Sequence, residues 1–253
     1  MSQKDKPSEA RASRKLLGSA YDREDKGDVL IKGKPSPRPK DAATLILLRP
    51  QGRKIEVLMG KRAAGHRFMP DKYVFPGGRV ERHDGRIPAL SELHPKSESQ
   101  LGHASRRKAR AFALTAIRET FEETGLIVGK PATPKPRLPE DWQPFFDQGA
   151  APSLYDLRFI GRAITPPYRP QRYDARFFIA DARTALIDTR PPVDGVELHD
   201  LQWIDLEQTG GLDLPSVTQF MLNEIKERWE NPGQKFGPVF LRWTRSGHRI
   251  DRL

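Results

Sequence analysis

One stretch, Arg118-Glu119-Thr120-Phe121-Glu122-Glu123-Thr124-Gly125-Leu126, constrains the fold of this chain more than any other. Apolar and small side chains recur before it and within it at intervals of three and four, which predicts an amphipathic helix over about 105–124. Glu119, Glu122 and Glu123 share a second face of that helix, because residues three and four apart are neighbours. The glycine that follows supplies a C-terminal stop.

The three glutamates would repel one another strongly unless a cation lay among them. Their hard carboxylate oxygens suit Mg²⁺ or Mn²⁺. The plainer interpretation is a solvated acidic face, since most charged helix faces are exposed surface. The helix alone therefore leaves a metal site and a solvated surface open as alternatives.

The charge of the chain is strongly positive. Its 253 residues include 44 Lys and Arg against 33 Asp and Glu, a formal net charge of +11, which predicts attraction to polyanions or to phosphorylated small molecules. Residues 1–40 contain 11 of the basic and 6 of the acidic side chains, so nearly half of the excess lies in this segment. This distribution weakens the case for nucleic acid as a partner.

The chain contains no cysteine. Disulfides, thiolate nucleophiles and Cys-ligated zinc are therefore excluded, and any metal must be held by oxygen or imidazole. No apolar run approaches the roughly 20 residues of a membrane span, and the N-terminus mixes acids with bases instead of carrying an apolar signal core. We expect no membrane partner and a cytoplasmic location.

The sequence divides into a basic tail, residues 1–40, and one domain, residues 41–253. The tail is rich in Lys, Ser, Pro and Asp, which predicts that it is mostly disordered. Two insertions are predicted in the domain. The insertion near 79–104 is polar and mixed in charge, which predicts a surface segment. The insertion near 130–156 is broken by prolines, which predicts a cover with at most one short helix.

Short apolar and alternating runs predict a mixed sheet flanked by helices. The predicted strands are 42–48, 54–59, 126–128, 157–164, 173–180, 197–204 and 239–243, the last of which is expected to end the sheet. A second helix is predicted over about 214–229, where Pro215 and Ser216 form its start. The fold class is therefore α/β (α+β).

A corner of Pro76-Gly77-Gly78 follows the second predicted strand and a basic segment. Glycine has no side chain to block a ligand, so such a corner lets the backbone approach one closely. An ordinary turn is the alternative interpretation. Trp142, in the predicted cover, also has two interpretations: it stacks on a base, or it caps the core, which is favoured on general grounds.

The acidic helix and the glycine corner together give the chain a resemblance to the Nudix hydrolases. The signature of that family is Gly, five residues, Glu, seven residues, Arg-Glu, an apolar residue, any residue, Glu-Glu, any residue, Gly and an apolar residue. Gly78 matches the first glycine, and residues 118–126 match the second half. The resemblance covers roughly 41–204 and implies an α/β/α sandwich with a mixed central sheet.

The match departs from the signature at three points. Thr120 replaces the usual aliphatic residue. Counted back from Arg118, Arg110 occupies the place of the first Glu, and 39 residues separate Gly78 from Arg118 where the signature has 13. Because that Glu is usually structural in the family, its loss predicts a weakened ion pairing of Arg118 more than a damaged metal site.

An insertion inside the signature also occurs in a subgroup of coenzyme A diphosphatases similar to the peroxisomal Nudix enzymes. An upstream motif of coenzyme A-directed Nudix proteins is matched here at Leu58, Arg62, Ala63, Arg67, Phe75, Pro76, Gly77 and Gly78. Met59, Gly60 and Asp71 depart from it, while the strand at 173–178 also looks like this subgroup. The resemblance implies coenzyme A or acyl-coenzyme A as substrate.

The resemblance also implies roles for the residues of the signature. Glu119, Glu122 and Glu123 are the implied catalytic residues and the ligands of one to three Mg²⁺ or Mn²⁺, with the backbone carbonyl of Gly77 as a further ligand. Glu119 is the candidate to orient or deprotonate the attacking water. Arg118 has the implied structural role of fixing the loop to the helix.

Further candidates lie outside the acidic helix. The candidates for substrate binding are Arg62, Arg67, Gly78, Arg79, Arg169 and Arg172. Arg62 and Arg67 are suited to phosphate oxygens, because a guanidinium meets two of them at once, but plain surface charge is an equal alternative. Glu197, after the Asp194-Gly195 turn, is either a late metal ligand or base, or an exposed strand residue.

The predicted function is that of a Mg²⁺-dependent Nudix hydrolase, which cleaves the pyrophosphate bond of a nucleoside diphosphate linked to X. Coenzyme A or acyl-coenzyme A is the preferred substrate. One alternative is a broader nucleotide pyrophosphatase acting on NADH, ADP-ribose or nucleoside triphosphates. Another is a non-catalytic Nudix-fold protein that binds nucleotide or RNA, although the retention of all three glutamates argues against it. The expected partner is a small-molecule nucleotide, and a homodimer is left open.

Overall fold

A computed structural model describes residues 35–65, 69–101, 108–133, 137–244 and 247–253 of the chain. Most of the predicted tail, residues 1–40, lies outside the described residues. The candidate substrate contact Arg67 also lies outside them.

A mixed sheet of nine strands forms the centre of the described part. All the strands of the fold, in chain order, are β1 (Lys40–Gln51), β2 (Lys54–Arg62), β3 (Tyr73–Val74), β4 (Gly77–Arg79), β5 (Gly129–Pro131), β6 (Ala150–Pro152), β7 (Arg158–Ile164), β8 (Tyr173–Asp181), β9 (Leu198–Asp205), β10 (Val239–Thr244) and β11 (Gly247–Arg252). The order in the sheet is β11-β10-β7-β8-β1-β2-β3, where β4 also pairs with β1 and β9 with β2. Strands β5 and β6 form a separate pair.

Helices lie on both sides of the sheet. They are α1 (Pro95–Leu101), α2 (Ala109–Thr124), α3 (Gln143–Asp147), α4 (Ala182–Ala185) and α5 (Ser216–Glu230), with 3₁₀ helices at Asp84–Arg86 and Leu206–Gly211. The long helices α2 and α5 confirm the two predicted helices. None of the helices in the described ranges has the length and apolar content that crossing a membrane requires.

Alternation along β1 explains the two cores. Ala43, Leu45 and Leu47 point to one face of the sheet, where they pack in one cluster with α2 and the 137–157 segment. Ile46 points to the other face, into a second cluster that contains the apolar residues of α5. Side chains alternate between the two faces of a strand, so this one apolar strand is buried on both sides. The predicted α/β sandwich is confirmed.

Two strand predictions are wrong. Residues 126–128 do not form the predicted strand, since Val128 makes only an isolated bridge to Leu186 and the strand β5 begins at Gly129. The strand β10 does not end the sheet, because β11 pairs with it along the outer edge. The sequence of β11, Gly-His-Arg-Ile-Asp-Arg, is almost entirely polar, so no apolar alternation could indicate it.

The two predicted insertions pack on the core. Val80, Ile87 and Leu93 are buried against α2, which corrects the expectation that the 79–104 segment is a polar surface insertion. These apolar residues are too widely spaced to give a periodic signal. The second insertion has one short helix, as predicted, and Trp142 beside it is fully buried. Its ring therefore belongs to the core and has no face free for a base.

Candidate metal centre and cleft

Helix α2 ends directly after the glutamates because Gly125 stops it. Gly125 has a left-handed backbone (φ 69°) and donates its N–H to Phe121 O at 2.8 Å. Thr120, which replaces an aliphatic residue of the signature, is fully buried, and its hydroxyl donates to Ala116 O at 2.7 Å. This departure from the signature does not disturb the helix, because the hydroxyl is satisfied within the helix itself.

The glycine corner and the acidic face of α2 lie against each other. The carboxylate of Glu119 packs on the Cα of Gly78 so closely that a Cβ there would lie 2.4 Å from Glu119 Cδ. The N–H of Gly77 donates to Glu123 Oε2 at 2.8 Å. The pairing of β4 with β1 holds both glycines in place. The structure thus brings the two halves of the signature together, 46 positions apart at the Gly77–Glu123 bond.

The three glutamates differ in exposure, and all of them have raised pKa values. Burial raises the pKa of Glu119 to about 7, against the opposing charge of Arg118. Burial also raises the pKa of Glu122, and it raises that of Glu123 well above its usual range, where the nearby charge of Glu119 adds to the effect. Negative charge is therefore held in this site at an electrostatic cost that a cation would relieve.

Glu197 lies close to this group. It stands directly before β9, whose pairing with β2 brings it beside Arg62, and its carbonyl accepts the N–H of Ala63 at 3.1 Å. Its negative charge contributes to the raised pKa of both Glu119 and Glu123. Its role as metal ligand or base stays a prediction, but its position is the one that such a role requires.

These residues fit a hard divalent cation. The side chains on offer are carboxylates, and the place for a side chain at Gly78 is filled by the Glu119 carboxylate. Glu122 is turned toward Arg118, which donates from Nη1 to Glu122 Oε2 at 2.9 Å. Among the described residues, no three of the site glutamates bring oxygens within 4.8 Å of one another. Each carboxylate has its own contact in this structure, which is Arg118 for Glu119 and Glu122 and the N–H of Gly77 for Glu123.

A cleft of about 380 Å³ opens beside the candidate metal centre. The charged and glycine residues that line it are Arg62, Gly77, Gly78, Arg79, Glu81, Glu119, Arg169 and Glu197. Its lining also includes the apolar residues Val74, Phe75, Ala163, Ile164, Pro166, Phe177 and Val217. The wall of the cleft therefore combines charged and apolar side chains.

The predicted substrate-binding arginines separate into two groups. Arg62, Arg79 and Arg169 line the cleft, and Arg169 is buried in its wall. Arg172 does not lie among the described residues that line it. Its guanidinium donates instead to Thr165 O at 3.0 Å and to Pro37 O at 2.9 Å, which fastens the segment that enters β1. In this structure Arg172 is thus a structural tie, and its role as a substrate contact stays a prediction.

Arg118 joins the loop after β4 to the helix, in the position that its predicted structural role requires. Its Nε and Nη2 donate to the two carboxylate oxygens of Asp84, at 3.1 and 3.2 Å, and Nη2 also donates to Arg79 O at 2.9 Å. Its Nη1 lies 2.9 Å from both Glu119 Oε1 and Glu122 Oε2. Arg118 is therefore tied to the loop on one side and to two candidate metal ligands on the other.

Asp84 is the functional residue that sequence reasoning missed. Counted forward from Gly78, five residues lead to Asp84, which takes the place of the first Glu of the signature and pairs with Arg118. The expectation that Arg118 lacks a carboxylate partner from the signature is wrong, because Asp84 fills that role. Arg110, which stands in that place when the signature is counted back from Arg118, pairs with Glu92 instead. The extra residues lie after Asp84, and the signal that could have found it was the spacing from the first glycine.

In the described part of the chain, His83, Asp84 and Asp141 bring three ligand-type atoms within 4.8 Å of one another. His83 Nε2 lies 2.7 Å from Asp141 Oδ2. Arg118 Nε lies 3.1 Å from Asp84 and 3.7 Å from Asp141, so its positive charge partly offsets these two carboxylates.

Comparison with known proteins finds Nudix hydrolases and an acyl-coenzyme A diphosphatase among the proteins similar to this chain. No family model matches the chain. A putative Nudix hydrolase 7 of Caenorhabditis elegans is 27% identical over 186 residues, which is 68% of this chain and 54% of that protein. The acyl-coenzyme A diphosphatase NUDT19 of Gallus gallus is 28% identical over 206 residues, which is 58% of this chain and 53% of that protein.

A solved structure extends the likeness to the fold. The crystal structure of a Nudix hydrolase from Alicyclobacillus acidocaldarius is 29% identical, with a TM-score of 0.57, and the match covers 74% of this chain and 90% of that one. The chain spans about half the length of the curated relatives it matches. In fold and in sequence, the chain is similar to these Nudix hydrolases.

Proposed function

We propose that the protein is a hydrolase that depends on Mg²⁺ or Mn²⁺ and cleaves the pyrophosphate bond of a nucleoside diphosphate linked to X. One observation carries the proposal: the carboxylate of Glu119 packs on Gly78, that of Glu123 accepts the N–H of Gly77, and Glu119 and both glycines line the cleft. The four non-bridging oxygens of such a pyrophosphate share two negative charges, and they need a place where cations and backbone can approach them together.

Different residues of the chain have different proposed roles in the reaction. When bound, a divalent ion would neutralise the pyrophosphate oxygens and acidify a water molecule. Glu119, whose pKa of about 7 lies near neutrality, is suited to take the proton of the attacking water. Arg62 and Arg169 supply positive charge along the cleft for the phosphates, while Arg118 holds the carboxylates of Glu119 and Glu122 in place.

For the substrate, we propose coenzyme A or acyl-coenzyme A. Relatives named acyl-coenzyme A diphosphatase support this choice. Arg62 and Phe75 of the upstream motif both line the cleft, and the apolar part of its lining suits a partly apolar substrate. In the reaction, water adds to one phosphorus, the bridging P–O bond breaks, and the products are 3′,5′-ADP and a phosphopantetheine fragment.

The test is a panel of coenzyme A, acetyl-coenzyme A, NADH, ADP-ribose and nucleoside triphosphates, each incubated with Mg²⁺ and followed by separation of the products. We expect phosphopantetheine from wild type and its loss in Glu119→Gln. The matched control is Glu92→Gln, since Glu92 is an exposed partner of Arg110 outside the cleft.

Each other outcome has a defined meaning. Faster cleavage of NADH or ADP-ribose than of coenzyme A would contradict the proposed substrate and keep the hydrolase. Equal turnover by wild type and Glu119→Gln would contradict the proposed site. Binding of nucleotide or RNA without any turnover would contradict the hydrolase itself.

A further inference from the structure

Asp84 is a fully buried carboxylate whose hydrogen-bonding positions are all used. Its Oδ1 accepts from Arg118 Nε at 3.1 Å and from the indole N–H of Trp142 at 2.9 Å. Its Oδ2 accepts from Arg118 Nη2 at 3.2 Å and from the N–H of Glu81 at 2.9 Å. The Thr115 hydroxyl lies 2.7 Å from Oδ2 and 2.8 Å from Ala111 O, and these two acceptors share its one proton. Burial alone would raise the pKa of Asp84, but the hydrogen bond and the charge of Arg118 lower it.

Asp84 stands where the signature has a glutamate, and its side chain is one methylene shorter. A shorter carboxylate controls the guanidinium only if its own position is fixed. Trp142 and Thr115 supply that fixing from two sides, since Thr115 lies on α2 and Trp142 directly precedes α3. Both side chains are buried, so water does not compete for these bonds.

The geometry continues from Asp84 to the metal centre. Arg118 has five N–H donors in a rigid plane, so the two oxygens of Asp84 set the orientation of the whole guanidinium. The opposite edge of that plane, at Nη1, contacts Glu119 Oε1 and Glu122 Oε2, both at 2.9 Å. A rotation of the guanidinium would therefore move the contacts of both candidate ligands.

We propose that Trp142 is a positioning residue for the metal centre, which acts through Asp84 and Arg118 on Glu119 and Glu122. The inference rests on the proposed function. It assigns a role to the proline-rich cover: the segment delivers one indole N–H to a buried carboxylate. Groups that contact a metal ligand directly, as Arg118 does here, typically change metal affinity by about 10- to 100-fold when they are lost. Trp142 stands two contacts further back, so we expect its effect at the lower end of that range.

The test uses two variants that each remove one donor to Asp84, Trp142→Phe and Thr115→Val. Phe146→Leu is the matched control, because Phe146 is fully buried and packs edge-on against Trp142, 6.3 Å between ring centroids, without a polar atom. The affinity for Mn²⁺ is measured by electron paramagnetic resonance without substrate. The kcat and KM for the best substrate of the panel, and Tm, are measured beside it.

We expect Trp142→Phe and Thr115→Val each to weaken Mn²⁺ binding about tenfold, and to lower kcat with little change in KM. We expect Phe146→Leu to lower Tm but to leave Mn²⁺ affinity as in wild type. Thr115→Val keeps the shape of the core, so it tests the Asp84 step even if Trp142→Phe fails to fold.

Three results would overturn the inference. Unchanged Mn²⁺ affinity in a folded Trp142→Phe would remove the role of the indole N–H, and unchanged affinity in Thr115→Val would remove the role of Asp84. An equal loss in Phe146→Leu would show that packing alone is responsible. If wild type itself neither binds Mn²⁺ nor hydrolyses any substrate, the proposed function fails, and the inference falls with it.

Discussion

Helices α2 and α5 pack on opposite faces of the same sheet, and each of them buries a glutamate. Glu224 of α5 is 4% exposed and lies between two guanidinium groups, with Arg228 Nη2 at 2.7 Å and Arg252 also in contact. Glu123 of α2 is 6% exposed, and its Oε2 accepts the backbone N–H of Gly77.

The difference separates a carboxylate that is paired with two guanidinium groups from one that is held by a backbone N–H, with the charge of Arg62 nearby. Arg252 belongs to β11 and Arg228 to α5, so Glu224 joins the last strand to a helix with charges from the chain itself. On α2, the pKa of Glu123 is raised well above its usual range by burial and by the charge of Glu119. Perturbed groups of this kind, gathered at a cleft, indicate a functional site.

The largest effect is expected from a substitution of Glu123, the buried glutamate of α2. Glu123→Gln should lower kcat by about a hundredfold to a thousandfold, since a lost metal ligand removes several kcal/mol of charge stabilisation. The same change should leave the metal-free protein at least as stable, because it removes a carboxylate that is costly to ionise. Steady-state kinetics and urea unfolding in EDTA measure the two quantities. A large loss of metal-free stability would show that Glu123 is structural, as Glu224 is.

The second prediction makes the same substitution at Glu224, the buried glutamate of α5. Glu224→Gln should destabilise the fold by about 2 kcal/mol, because it removes the buried anion that joins the half-buried Arg228 to the exposed Arg252 and leaves Glu227 as their nearby carboxylate. The kcat should stay that of wild type, since Glu224 does not line the cleft in the described structure. Urea unfolding and the hydrolysis assay check the pair. A fall in kcat without a fall in stability would remove the distinction between the helices.

The third prediction concerns the close approach between Gly78 and the Glu119 carboxylate at the candidate metal centre. Gly78→Ala should lower kcat about tenfold to a hundredfold, because its Cβ would occupy the place of the Glu119 carboxylate. Gly210→Ala is the control, since a Cβ at Gly210 meets nothing within 4 Å. Kinetics and Mn²⁺ affinity of the two variants are compared. Normal affinity in Gly78→Ala would show that Glu119 does not need the glycine corner.

The sequence predicted the parts of this arrangement that rest on local periodicity. The two long helices and most strands follow from apolar spacing, and three carboxylates on one face of α2 follow from their intervals. Asp84 could not be found by counting back from Arg118, because the inserted segment separates them. The indole N–H of Trp142 and the tie made by Arg172 depend on contacts between distant segments, which no local pattern encodes. The polar strand β11 had no apolar signal.

The fourth prediction is a pH dependence that the two helices should not share. Burial raises the pKa of Glu119 to about 7 from 4.5, so the folded state without metal holds this proton more tightly than the unfolded state. The contribution of Glu119 to stability is therefore full below pH 4.5 and is lost as pH rises through 7. Between pH 5 and 7.5, metal-free wild type should lose about 2 to 3 kcal/mol more than Glu119→Gln.

Saturating Mg²⁺ should reverse the sign of this dependence, because a cation binds the ionised carboxylate and stabilises the folded state more as pH rises. Urea unfolding at several pH values, in EDTA and in Mg²⁺, gives the four curves required. In EDTA, the free energy of unfolding of Glu224→Gln should be lower than that of wild type but should change with pH at the same slope. The reason is that the Glu224 carboxylate is compensated by Arg228 and Arg252. Parallel curves of unfolding free energy against pH for wild type and Glu119→Gln would contradict this prediction. They would mean that burial costs the Glu119 carboxylate of α2 no more than it costs the Glu224 carboxylate of α5.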